Sequence, residues 1–389
     1  MEYRWIENIE EFQLIADEWD KALIATQDNN PFLLSDFIIT WWRYHSNRQL
    51  RILVVYDGGE IAGGIPLFIN NEKLSNGFAR VLRYTGLEFA NYTEPLYGAS
   101  DFKFMPVLLN ALRQRKDWDV LHLTDIRSGN KLMMECPDYP VSREILLYTL
   151  QDHLNWAVDL SSGVNNYITN LSKAGISKRM SRYLKSRRKY INKNYGELEL
   201  RQITGEAEIR RYFDLYIKFS INSFYSRYRR SMFEKPVSST FMREFLVIMD
   251  RKKRLDAHLL CAEDKVLAIS FGYRFGQGFN WAFTAFDYNY KYVKPGYLLI
   301  EEIIKEIIKR GQTYYNWYGH GAFYKSEWCN VQLPLFQLFL VRPGLRGMYY
   351  QKIKKIKSKL KSHKNLMGLA FKIRTIPQRL RLSLQRCLI

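Results

Sequence analysis

Residues 279–328 constrain this chain most. They read FNWAFTAFDYNYKYVKPGYLLIEEIIKEIIKRGQTYYNWYGHGAFYKSEW, which is a strand pattern, a glycine turn, an amphipathic helix, a second strand and a tight polar turn. That order builds a ligand site. Pro295-Gly296 stands directly before the helix, where the first N–H groups have no intrahelical partner and the dipole is positive. Glycine lets a ligand approach the backbone, so a phosphate-bearing anion fits there.

A chain of 389 residues exceeds one ordinary core and points to two domains of roughly 150 residues each. Its 47% hydrophobic and 15% aromatic content excludes solvated disorder and suffices to line pockets with rings. Cys136, Cys261, Cys329 and Cys387 have no metal-ligand spacing, which implies reduced thiols and no metal site. The first residues, MEYRWIENIEEF, are acidic and amphipathic, unlike a signal peptide. The longest apolar stretches, such as 333–341, fall short of the ~20 residues a membrane helix needs. The expectation is a cytoplasmic protein, peripheral at most on the inner face of the cell membrane.

The pattern along the chain repeats. Residues 9–23 and 35–44 read as helices, the second capped by Ser35. The run RILVVYDGGEIAGGIPLFI reads as a hairpin across Asp57-Gly58-Gly59. Strands follow at 78–84 and 120–124, with a helix at 103–113 between them. The second half has helices from 206 and over 239–249, a hairpin across Glu263-Asp264-Lys265, a strand at 279–286, a helix at 296–309 and a strand at 314–318. The fold class expected is α/β (α+β): two tandem, similar domains with mixed sheets flanked by helices, plus a basic helical tail. The boundaries are 1–155, a basic interdomain helix within 156–200, 201–345, and a tail over 346–389.

The net charge of +20 sits in two blocks without carboxylates. One lies between Asp159 and Glu197 and carries Lys173, Lys185, Arg188, Lys189 and their neighbours around Ile176, Met180, Tyr183, Leu184 and Tyr190. The other runs from Glu327 to the last residue and spaces Ile353, Ile356, Leu360 and Leu366 among lysines. The natural partners of such segments are polyanions: acidic lipid headgroups, nucleic acid or phosphorylated substrates. The tail pattern fits a helix lying on an anionic membrane. The interdomain block fits a solvated face, a tRNA contact or a cradle for an anionic acceptor.

Several pieces, in order, resemble the CelD-like, FemAB-related branch of the GNAT acyltransferase superfamily. They are PFLLSDFIITWW at 31–42, GGIPL at 63–67, the basic segment, KPGYLLIEEII at 294–304 and NWYGHGAFYKSEW at 316–328. The resemblance covers residues 1 to about 340 and implies a duplicated GNAT fold using acyl-CoA as co-substrate, without a metal. It implies that Phe283, Thr284 and Ala285 align the pantetheine arm, while Lys294, Gly296 and Tyr297 face the pyrophosphate. Asn316 stands where relatives often carry an acid, and Gly319, Gly321, Tyr324, Lys325 and Trp328 keep the rest of that motif.

A transfer of this kind needs a base for the acceptor, a polarised thioester carbonyl and a proton for the leaving thiolate. Glu327, His320, Glu88 and Glu94 are the base candidates, Tyr318 and Tyr324 the acids. Lys325 is the residue to hold a carboxylate, a phosphate or an oxyanion. The expected reaction moves an acyl group to an amine or hydroxyl of a sugar-containing or anionic envelope or exopolysaccharide precursor. Two alternatives stand beside it: FemAB-like transfer from aminoacyl-tRNA, and a membrane-peripheral binding protein without catalysis.

Overall fold

The computed structural model describes residues 1–26, 30–75, 77–98, 102–139, 144–161, 177–225, 231–275, 278–318 and 325–362. One mixed sheet of 13 strands runs through it. In chain order these are β1 (Glu2–Ile6), β2 (Gln49–Asp57), β3 (Glu60–Leu74), β4 (Gly77–Tyr84), β5 (Leu96–Tyr97), β6 (Val120–Arg127) and β7 (Leu146–Asp159). Then come β8 (Leu198–Gln202), β9 (Leu255–Ala262), β10 (Lys265–Phe275), β11 (Gly278–Phe286), β12 (Tyr314–Tyr318) and β13 (Val331–Val341). The spatial order is β1-β2-β3-β4-β6-β13-β7-β12-β11-β10-β9-β8, with β5 on β3.

Each half repeats one order: an edge strand, two helical segments, three antiparallel strands, a helix, a strand parallel to the third, and a last long strand. In the first half the helices are Ile9–Leu14, Ala16–Ala25, Ser35–Arg43 and Phe104–Arg113; in the second they are Glu206–Tyr225, Pro236–Arg251 and Pro295–Lys309. The only parallel pairs among the described strands are β4 with β6 and β11 with β12. Both hairpins form as their turns require, with Gly58 and Gly59 at positive φ in one and Glu263 in the other. Ser35 is not the cap of its helix; it lies in the first turn, its N–H donating to Asp20 Oδ1 at 2.8 Å.

What joins the halves is an exchange of strands that no local pattern announces. β7 pairs with β12 of the second half, β13 pairs with β6 of the first, and the two pair with each other from Val331↔Ala157 to Val341↔Leu146. Each half thus lends its last strand to the other, which leaves no open edge at the centre. β7 runs straight through the boundary expected between 155 and 156. The apolar stretch 333–341, measured above only against a membrane span, lies in β13.

Apolar alternation divides the packing. On β9, Ala257, Leu259 and Cys261 face a core shared by both halves, while Leu260 and Ala262 face a second core under Pro295–Lys309. The shared core takes in Trp19 and Trp41 from the first half and Phe241 and Phe245 from the second. Phe37 stacks edge-on against both of those phenylalanines. Deleting a buried leucine of the exchanged strand β13, Leu338→Ala, should cost about 2–5 kcal/mol. Because that strand belongs to both halves, calorimetry should show one cooperative transition before and after the change; two separated transitions would contradict the shared sheet.

Candidate functional site

The parallel strands β11 and β12 stay paired for only three registers, Gly278↔Tyr314, Phe279↔Tyr315 and Asn280↔Asn316. Beyond them β11 bulges: Trp281 opposes Gly272 and Phe283 opposes Phe271, so Ala282 is an extra residue. β12 is out of step on its other side, against β7, between Asn316 and Tyr318. Tyr318 sits at φ 56°, a conformation that costs a bulky residue energy and that clusters at functional sites. The strands diverge, and a cavity of about 320 Å³ opens between them.

Trp281, Ala282, Phe283 and Thr284 of β11, with Trp317, Tyr318 and Lys325, form one side of this cavity. Phe32, Glu88, Phe89 and Asn91 of the first half and Tyr216 and Phe233 of the second form the other. Most of these walls are aromatic. Phe283 is held by Tyr216 and Phe233, at ring separations of 4.8 and 5.5 Å, and Trp281 packs edge-on against Trp317. Thr284 Oγ1 accepts from Trp281 Nε1 at 2.6 Å and donates to Ser270 Oγ at 3.0 Å.

Lys325 is the cation of the cavity. It opens the short helix Lys325–Trp328 and is buried, its Nζ donating to Trp317 O at 2.8 Å and Tyr318 O at 3.1 Å. Burial pulls its pKa down to about 8. In so buried a setting a bond from an ammonium to a ligand oxygen is worth more than in water.

The turn expected before the Pro295 helix forms. Lys294 is exposed and takes φ 54°, ψ 53° ahead of Pro295, a strained conformation for a residue before proline. The helix behind it has no acid in its first turn. A Cβ on Gly296 would meet only Phe286 Cδ1 at 3.5 Å, so packing does not demand glycine there. Tyr297 donates its hydroxyl to Glu327 Oε2 at 2.7 Å, tying the helix start to the turn that carries Lys325.

The basic helix Ser177–Tyr195 lies beside this turn, anchored by Arg188 on Glu301 at 2.7 Å and on Glu302. Leu184 and Ile191 are its buried stripe, whereas Tyr190, expected in that stripe, is exposed. Tyr190 packs edge-on against Tyr195 and Tyr292, whose hydroxyls are hydrogen-bonded at 2.5 Å, with Lys265 over Tyr195 at 5.2 Å and Lys291 over Tyr288 at 4.3 Å. The result is an aromatic shelf studded with cations, leading to the helix start.

Other expected residues fall elsewhere. Ala285 is buried in the shared core and does not line the cavity. Glu94 is fully buried, accepting from the Arg127 backbone N–H at 2.6 Å and from its Nε at 2.9 and 3.0 Å; this carboxylate is committed to an ion pair and does not line the cavity. Glu327 is taken up by Tyr297. His320, Tyr324, Gly319 and Gly321 lie outside the described residues. Among those described, Glu88 is the one carboxylate lining the cavity, at its rim and 3.5 Å from Arg48.

Asn316 does not line the cavity either. Its Nδ2 donates to Tyr92 Oη at 2.7 Å and Asn280 Oδ1 at 3.3 Å, and its Oδ1 accepts from Asn155 Nδ2 and the Tyr318 N–H, both at 3.1 Å. The amide joins β7, β11, β12 and the Tyr92 loop just where the parallel strands part. The Arg127 guanidinium lies over the Tyr92 ring at 4.6 Å, adding the Glu94 pair to the same cluster. Sequence spacing carries no sign of this hub, because its members come from four separated segments.

Residues 177–326 match the acetyltransferase (GNAT) domain family, a span that includes β11, β12, the Pro-Gly helix and Lys325. No curated protein matches the chain in sequence. Among solved structures, a conserved protein of unknown function from Bacteroides thetaiotaomicron VPI-5482 superimposes with a TM-score of 0.55 at 12% identity, over 88% of this chain and 100% of that one. FemX superimposes with a TM-score of 0.54 at 10% identity, over 91% of this chain and 100% of FemX. At these identities the likeness is one of fold.

An acid at position 316 would lose the donors that satisfy Tyr92 and Asn280 and would bury a carboxylate against Asn280 Oδ1. Asn316→Asp should therefore lower stability by about 1–3 kcal/mol in urea unfolding. Equal or greater stability at neutral pH would show that the hub is not what position 316 serves.

Proposed function

We propose that this chain, whose residues 177–326 match the GNAT domain family and whose whole-chain fold is shared with FemX, is an acyltransferase working in the cavity between β11 and β12. The observation that carries this reading is the buried Lys325 at the point where two parallel strands part. Acyl-CoA is the donor. Its phosphates meet the Pro295 helix start and the tyrosine and lysine shelf, and its pantetheine arm runs along the β11 edge that β12 has left, past Phe283 and Thr284. The acceptor is an amine or hydroxyl of a sugar-containing or anionic envelope or exopolysaccharide precursor, whose rings suit the aromatic walls. In this reading residues 201–345 hold the donor, 1–155 the acceptor side, 156–200 the basic helix that contributes to the shelf, and 346–389 the tail.

The acceptor enters over Glu88 and Asn91, where Glu88 takes the nucleophile's proton. The nucleophile forms a bond to the thioester carbon, and the resulting oxyanion is held by Lys325 Nζ. Collapse breaks the C–S bond, and Tyr318 returns a proton to the departing thiolate. The described cysteines are free and buried, which suits a reducing compartment such as the cytoplasm. A second reading, transfer from aminoacyl-tRNA, draws on the same shelf, since exposed rings among cations also receive single-stranded nucleic acid.

Turnover with purified acyl-CoA against charged tRNA separates the two donors. Lys325→Met should lower kcat by about 100- to 1000-fold with the fold intact, the loss expected for an oxyanion donor. The working form of Lys325 is the ammonium, which is populated below a pKa of about 8 and lost above it. Transfer should therefore decline as pH rises through about 8, and Lys325→Met should remove that limb; a limb that survives in the variant assigns it to another group. Gly296→Val should raise the donor KM by about tenfold while leaving kcat near wild type, and an unchanged KM would remove the helix start from the donor site.

A further inference from the structure

We infer that the outward face of the helix Leu345–Ser362 is a docking surface for an anionic lipid bilayer, an inference that does not depend on the acyltransferase reading. Its inward face is fixed. A Cβ on Gly347 would fall 2.9 Å from the carbonyl oxygens of Arg342 and Asp119, so the helix is pressed against the sheet. Tyr350 is buried, its hydroxyl 2.9 Å from His122 Nδ1, and Ile353 packs with it on Val81, Val120, Phe339 and Val341. Lys354 Nζ donates to Glu72 at 3.1 Å. The sequence pattern put Ile353 and Ile356 on one face; the structure turns Ile353 to the protein and Ile356 to solvent.

What this orientation leaves outside is an apolar stripe. Leu345 is 92% exposed, Met348 54%, Tyr349 43% and Ile356 49%. Single exposed apolar residues are ordinary, but these four recur at helical spacing and line one shallow trough of about 630 Å³ with Lys352 and Lys355. Taking these side chains out of water favours docking, and lysines beside an anionic surface add to it. Lysines beside an apolar stripe keep their heads in the headgroup layer while their stems follow the apolar face. Charge selects the occupant: from Trp328 to Ile389 the chain has no Asp or Glu to repel an anionic surface. The contact is peripheral, since no described helix is long and apolar enough to cross a membrane.

The test is co-sedimentation of the full chain with vesicles of phosphatidylcholine alone and with one third phosphatidylglycerol. Binding to the anionic vesicles only is expected, weakened by salt and reduced about a hundredfold in Leu345→Asp/Met348→Asp. Both residues are exposed, so an unchanged thermal transition checks the fold of the variant. Equal binding of wild type and variant, or equal binding to both vesicles, overturns the proposal. So does self-association of the wild-type chain that the variant abolishes without any vesicle binding, which would make a second copy the occupant.

Discussion

The pairing of β7 with β12 is the contact on which the rest of the site depends. β12 is short, Tyr314–Tyr318, and is held on its outer side by a strand from the other half of the chain. Because β7 secures it there, β12 can leave β11 after three registers without losing its place in the sheet. A terminal strand with only β11 for a partner would have to stay zipped to it or fray. The exchange of β7 and β13 therefore makes one sheet of two halves and lets a cavity open inside that sheet.

Several local departures from regular structure gather around this opening, and they share one logic. Ala282 bulges, Tyr318 adopts positive φ, and Lys294 does the same before a proline. Each is costly alone and persists because neighbours over-determine it. Tyr318 is packed between Tyr92 and Phe32, its N–H bonded to Asn316 and its carbonyl to Lys325. The same carbonyl that fixes the backbone orients the lysine, so the support of the strand and the electrostatics of the cavity are one arrangement.

Much of this was legible in the sequence where the signal was local. The Pro-Gly turn, the helix behind it and the strand Tyr314–Tyr318 follow from periodicity and turn chemistry, and both hairpins follow from their turn residues. β7 and β13 were not, because what makes them strands is a partner nearly two hundred residues away, and register across such a distance leaves no mark on either segment. Glu94 looked like a free carboxylate in NYTEP because Arg127, 33 residues on, gives no local sign of its pairing. Asn316, where relatives often carry an acid, showed nothing of the hub it joins, because a motif shows which residue is present and not which way it faces.

The central claim is that the space between β11 and β12 receives the acyl end of a donor against Lys325. A structure of the protein bound to a non-reactive thioether analogue of acyl-CoA tests it most directly. The analogue's arm is expected along β11 past Phe283 and Thr284, with its carbonyl oxygen within hydrogen-bonding distance of Lys325 Nζ and its phosphates at the Pro295 helix start. An analogue seated elsewhere, with the cavity closed by Trp281 and Trp317, would contradict it.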